Sequence, residues 1–163
     1  MKYIITAVLL ITFNPNFLYA QRKTEINVNE MITSQNFIFK AQSVFPQTGG
    51  VRQLTSSDYD LKISKESVVS WLPYFGRAYA APINPSEGGI KFTSSKFEYL
   101  KTKKNKNRWD ITIRPKDVSD VQTLYLTVND DGRASLRVNS INRQSISFDG
   151  YIEENKPVNK KAF

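Results

Sequence analysis

Apolar and polar residues alternate along most of this chain, and the period is two. Trp109, Ile111 and Ile113 fall on one side of the run Arg108–Arg114, with Asp110 and Thr112 on the other. That spacing predicts a half-buried strand. Tyr59–Ile63 alternates in the same way, and Ser67–Leu72 continues as another short strand. Phe37–Phe45 is rich in aromatic and β-branched residues, which fit a pleated surface. Ile90–Phe92 and Lys96–Lys101 are further strand segments. Thr123–Val128 and Arg133–Val138 form the clearest hairpin, with Asn129-Asp130-Asp131-Gly132 as its turn, because Asp-Gly suits the backbone twist of antiparallel neighbours. Ser145–Ile152 is the last strand. Ile146, Phe148 and Ile152 mark its buried side, and Gly150 is placed to seat a bulge.

Two stretches break the alternation. Thr24–Thr33 carries Ile26, Val28, Met31 and Ile32 between Glu25 and Glu30, which predicts a short helix. Pro73–Gly89 holds three of the seven prolines and three of the seven glycines, so it reads as a structured loop. Pro46–Gly50 is a turn. Short strands separated by turns predict an all-β fold, a single antiparallel, strongly curved barrel-like or sandwich domain with a short N-terminal helix.

The first twenty residues follow a different pattern. Lys2 precedes a nearly continuous apolar run from Tyr3 to Phe13, then Asn14-Pro15-Asn16 breaks it and Leu18-Tyr19-Ala20 ends on a small residue. This is the layout of a cleavable signal peptide. The apolar run falls short of the roughly 20 residues that span a bilayer. The expected organisation is a signal peptide over 1–20, one β domain over 21–155 and a polar basic tail over 156–163. No membrane span is expected after cleavage. No cysteine follows the apolar run, so a lipid anchor by that route is not expected, and the mature chain is read as periplasmic or secreted.

Composition narrows the chemistry. The 163-residue chain has no cysteine and no histidine. That removes the Ser-His-Asp triad, the cysteine nucleophile and zinc sites of the His/Cys kind. Losing residues 1–20 removes one lysine and no acid, so the formal charge falls from +8 to +7. The densest positive run, Lys101–Arg108, lacks interleaved aromatics and is read as a solvated loop between strands. Nucleic acid is not an expected partner. Asn129–Gly132 lacks the remaining oxygen ligands of a calcium loop. Asp117 and Asp120 sit in a polar connector with no third group. Neither a phosphate-binding glycine loop nor a serine elbow is present. No metal, cofactor or catalytic residue is assigned.

One segment stands out. Trp71, Tyr74, Phe75 and Tyr79 put four aromatics within nine residues, together with Arg77. Tyr and Trp combine an apolar body with a polar tip, as binding sites often do. Arg77 is suited to stack on a ring or clamp an anion. The structural alternative is a packed sheet corner in which Arg77 satisfies buried carbonyls. Asn142-Arg143-Gln144 is polar, turn-like and expected to be exposed.

The strings Leu72-Pro-Tyr-Phe-Gly-Arg-Ala-Tyr79, Gly88-Gly-Ile-Lys-Phe92, Trp109-Asp-Ile-Thr-Ile113 and Ser140-Ile-Asn-Arg-Gln-Ser-Ile-Ser-Phe-Asp-Gly150 resemble the DUF4251 family. These are exported proteins of Bacteroidetes-type bacteria with no assigned activity. The resemblance runs from about Thr24 to Ile152. Many relatives look like lipoproteins, but this chain lacks their lipobox cysteine. The resemblance implies no catalytic residue and draws attention to Tyr74, Phe75, Gly76, Arg77, Tyr79, Asn142 and Arg143.

The reading is a non-catalytic binding module of the cell envelope. Its ligand is a small amphipathic molecule, a glycan or an envelope protein, docked at Trp71, Tyr74, Phe75, Arg77, Tyr79, Asn142 and Arg143. A hydrolase using carboxylate or Ser-Lys chemistry and a structural assembly protein are the alternatives. The hydrolase requires at least two such groups converging in one cleft. The assembly protein requires a large exposed apolar patch.

Overall fold

A computed structural model describes residues 27–79, 88–105 and 107–156. The expected signal segment, residue 106, positions 80–87 of the central loop and the tail after Lys156 lie outside the described residues. One helix, α1 (Val28–Ser34), precedes ten strands. They are β1 (Phe37–Pro46), β2 (Arg52–Gln53), β3 (Asp60–Ile63), β4 (Val68–Leu72) and β5 (Ile90–Ser94). β6 (Phe97–Asn105), β7 (Arg108–Pro115), β8 (Val121–Asn129), β9 (Arg133–Ser140) and β10 (Ile146–Glu154) follow. The order across the sheet is β5-β4-β3-β1-β10-β9-β8-β7-β6, with β2 paired to β1. All pairings are antiparallel, and the sheet curls into a nearly closed barrel.

Alternation builds the interior. Phe37, Phe39 and Val44 of β1 share one fully buried core with Leu124 and Leu126 of β8, Leu136 of β9 and Phe148 of β10. Each such side chain contributes about 2 kcal/mol by leaving water. α1 adds Val28, Met31 and Ile32. Asn27 caps it by accepting from the Glu30 amide at 3.0 Å. It is held to the sheet by the Tyr99 hydroxyl, 3.4 Å from the Ile32 carbonyl, and by Lys101 Nζ, 3.2 Å from that of Thr33. Burial pushes the Tyr99 phenol well above its ordinary pKa.

The two edge strands, β5 and β6, are consecutive in the chain. Asp117, just after β7, clasps the corner between them. Its carboxylate accepts from the Ser94 hydroxyl, from the Ser95 amide at 2.9 Å and from the Lys96 amide at 3.1 Å. The Ser94 hydroxyl, then the Ser95 amide, hold this carboxyl down to about 2. At the β1–β10 pairing the expected bulge is present, but its extra residue is Gln42 of β1. Gly150 supplies the room, since a Cβ there would strike the Lys40 carbonyl oxygen.

One expectation is corrected. Most of Lys101–Arg108 is strand: β6 runs on to Asn105 and β7 begins at Arg108. Lys101, Thr102 and Lys103 continue β6, facing Ile111, Asp110 and Trp109 of β7. The ladder hydrogen bonds carry the strand on although its lysines mark no buried face. β2 also escapes the alternation pattern, because both of its residues are exposed.

Candidate functional site

Chain direction changes sharply after Leu72. Pro73 has no amide hydrogen and ends β4. The chain then crosses to the segment that joins β9 to β10. Tyr79 donates its amide to the Asn142 carbonyl at 2.8 Å, and Gln144 donates its amide to the Arg77 carbonyl at 3.1 Å. Ala78 and Arg143 thus face each other as an isolated antiparallel bridge. The second half of the signature, distant in sequence, is the backbone partner of the first.

Three side chains lock this corner. The Tyr74 hydroxyl lies 2.8 Å from the Arg77 carbonyl and 3.0 Å from that of Gln144, so one donor serves both strands of the bridge. Gly76 lets the ring fold back there, because a Cβ would stand 2.7 Å from Cζ of Tyr74. Arg143 donates from Nη1 to the Gly89 carbonyl at 2.6 Å and holds Asp120 with Nε at 3.0 Å. Its guanidinium also lies over the Tyr74 ring, 5.3 Å from the centroid. Asp120 in turn accepts the Ile141 amide on its backbone oxygen at 2.9 Å. Burial raises the Tyr74 pKa, and the Arg143 cation pulls it partly back.

Arg143 is therefore not the exposed turn residue expected from its polar neighbours; its side chain retains 17% exposure. Two partners remote in the chain, Asp120 and Gly89, draw it inward. The role of satisfying buried carbonyls, considered for Arg77, falls to Arg143 and Tyr74. Arg77 lies at the surface and contributes its backbone to the bridge.

The other aromatics face outward. Trp71 is 49% exposed, Phe75 38% and Tyr79 68%. Trp71 belongs to β4, not to the loop, and Lys91 of β5 sits 4.0 Å over its ring. Arg52 of β2 lies 4.9 Å over the Phe75 ring. Asn142 is exposed beside Ile141, which is 61% exposed. The seven singled-out residues thus divide. Tyr74 and Arg143 are committed to the corner; Trp71, Phe75, Arg77, Tyr79 and Asn142 present surface. Arg52, Lys91, Asp120 and Gln144 complete the arrangement, which only the folded chain brings together.

The two connector carboxylates have separate structural partners, Asp117 at the Ser94–Lys96 corner and Asp120 on Arg143. Among the described residues no cluster of three His, Cys, Asp or Glu side chains is suited to a metal ion. Among them, too, no helix is long and apolar enough to cross a membrane.

The profile of a family described as "Domain of unknown function (DUF4251)" matches residues 19–152, most of the chain. This chain belongs to the DUF4251 family. The same barrel occurs in the crystal structure of a DUF4251 family protein from Bacteroides eggerthii DSM 20697. That protein is 14% identical, and the match covers 77% of this chain and 84% of that one with a TM-score of 0.57. At that identity the likeness concerns the fold alone. No curated protein matches the chain. Within a DUF4251 fold, the Leu72–Tyr79 string reads as a corner whose locked half holds its exposed half in place.

Proposed function

We propose that this DUF4251 protein is an exported, non-catalytic binding module of the cell envelope, periplasmic or secreted, that takes an amphipathic anion on the rim of its Leu72–Tyr79 corner. One observation carries the reading. Trp71 and Phe75 are exposed, and each has a cation over its ring face, Lys91 at 4.0 Å and Arg52 at 4.9 Å. Such pairs offer apolar ring surface and positive charge side by side, which suits a ligand with an apolar body and an anionic group. Tyr79 and Ile141 extend the apolar part of the rim. The locked Tyr74–Arg143 corner beneath keeps that rim in shape before binding, which lowers the ordering cost of association.

Co-sedimentation with phosphatidylglycerol vesicles, set against phosphatidylcholine vesicles, tests this. The protein is expected to pellet with the anionic vesicles, and the double variant Trp71→Ala/Phe75→Ala is expected to stay in solution while melting at an unchanged temperature. Equal pelleting of the folded double variant would overturn the assignment of this rim.

A further inference from the structure

The outward face of β8, β9 and β10 carries a second arrangement. Its inward partners, Leu124, Leu126, Leu136, Val138, Ile146 and Phe148, are all buried. Between them the strands turn out Tyr125, Thr127, Ser135, Arg137, Asn139 and Ser147, which line one open groove of about 620 Å³. Register fixes their neighbours. Tyr125 lies directly across from Arg137, and Arg137 directly across from Ser147. Thr127 lies across from Ser135.

The groove's chemistry is specific in kind. It offers one ring, 43% exposed, one guanidinium, three hydroxyls and one amide. The carboxylates next to it are already engaged. Asp149 accepts from the Ser135 hydroxyl at 2.7 Å, and Asp110 accepts from Arg108 at 3.0 Å and from Thr127 at 3.2 Å. Among the described residues Arg137 makes no ion pair, unlike Arg108, Arg114, Arg133 and Arg143. The Oδ1 atom of Asn139 is shut off from solvent, and among the described residues it accepts no hydrogen bond. Buried acceptors are rarely left so, and Asn139 is one of the residues lining the groove.

We propose that this groove binds a saccharide bearing a carboxylate, such as a uronate-containing oligosaccharide. A sugar ring has an apolar C–H face that stacks on an aromatic ring and a rim of hydroxyls that needs mixed donors and acceptors. Tyr125 supplies the first; Ser147 and Asn139 supply donors and acceptors, and Thr127 and Ser135, whose hydroxyl hydrogens go to Asp110 and Asp149, supply acceptors. Arg137 supplies the planar fork that takes a carboxylate in two parallel hydrogen bonds. A lipid would want apolar lining that this groove lacks, and a nucleic-acid strand would want a row of cations where there is one.

Titration with galacturonate and glucuronate oligosaccharides, followed by amide chemical shifts, tests the site. Shifts are expected at Tyr125, Arg137 and Asn139, with neutral galactose oligosaccharides binding about tenfold more weakly or worse. Arg137→Ala should erase the preference for the acid. Tyr125→Ala should weaken binding about tenfold or more, and Tyr125→Phe, which keeps the ring, should retain it. The corner variant Phe75→Ala should bind the oligosaccharides unchanged, so this site and the rim succeed or fail separately. No shift at these three residues with any uronate, or undiminished binding by folded Arg137→Ala, would overturn the proposal.

Discussion

Arg143 joins Asp120, 3.0 Å from its Nε, to the carbonyl of Gly89, 2.6 Å from its Nη1. One side chain thereby ties the start of β5, the connector before β8 and the β9–β10 segment. Arg143→Ala leaves a partly buried carboxylate and a carbonyl without their donor, at a cost of about 2 kcal/mol. Arg143→Lys recovers only part of this, because a single ammonium lacks the planar fork that reaches both acceptors. Urea denaturation checks both, and an unchanged midpoint for Arg143→Ala would contradict the account.

Tyr74→Phe removes the donor shared by the Arg77 and Gln144 carbonyls while keeping the ring. The expected loss is about 1 kcal/mol, read from the same denaturation curves. Gly76→Ala should be worse than the ring-preserving change, because its methyl group meets the Tyr74 ring itself.

Gly150→Ala places a Cβ against the Lys40 carbonyl oxygen in the neighbouring strand. Backbone cannot yield as a side-chain tip can, so β1 and β10 must separate locally. A loss of about 2 kcal/mol is expected, measured as a lowered melting temperature. The neighbouring exposed position Tyr151 should tolerate alanine with a much smaller change.

Acid should loosen the β5–β6 corner. The Asp117 carboxyl is held at about 2 against an ordinary 3.8. A depressed folded-state pKa means stability that is fully present above 3.8 and is lost as pH falls from about 4 toward about 2. Stability against pH should therefore drop across that window in the native chain. The drop should be shallower in Asp117→Asn, which starts from a lower plateau. Parallel curves for the two proteins would show that the clasp contributes nothing.

Much of the barrel is legible in the chain because its strands have one wet and one dry face. Trp109, Ile111 and Ile113, or Leu124, Leu126 and Val128, announce themselves by period two. The rest fails for identifiable reasons. Arg52 and Gln53 form a strand with no buried residue, so no alternation marks β2. Lys101 and Lys103 extend β6 through backbone pairing, which a run of cations conceals. The aromatic density at Trp71–Tyr79 is visible, but its division into a locked and an exposed half is not. That division depends on Arg143, Asp120 and Gly89, which meet only in the folded chain.

The most direct test of that division is chemical-shift mapping with soluble short-chain phosphatidylglycerol. The account predicts shifts at the Trp71 indole N–H and at the amides of Phe75 and Tyr79, with the buried Phe148 and Leu136 unmoved. Shifts that avoid this rim, or none at ligand concentrations that saturate vesicle binding, would contradict it.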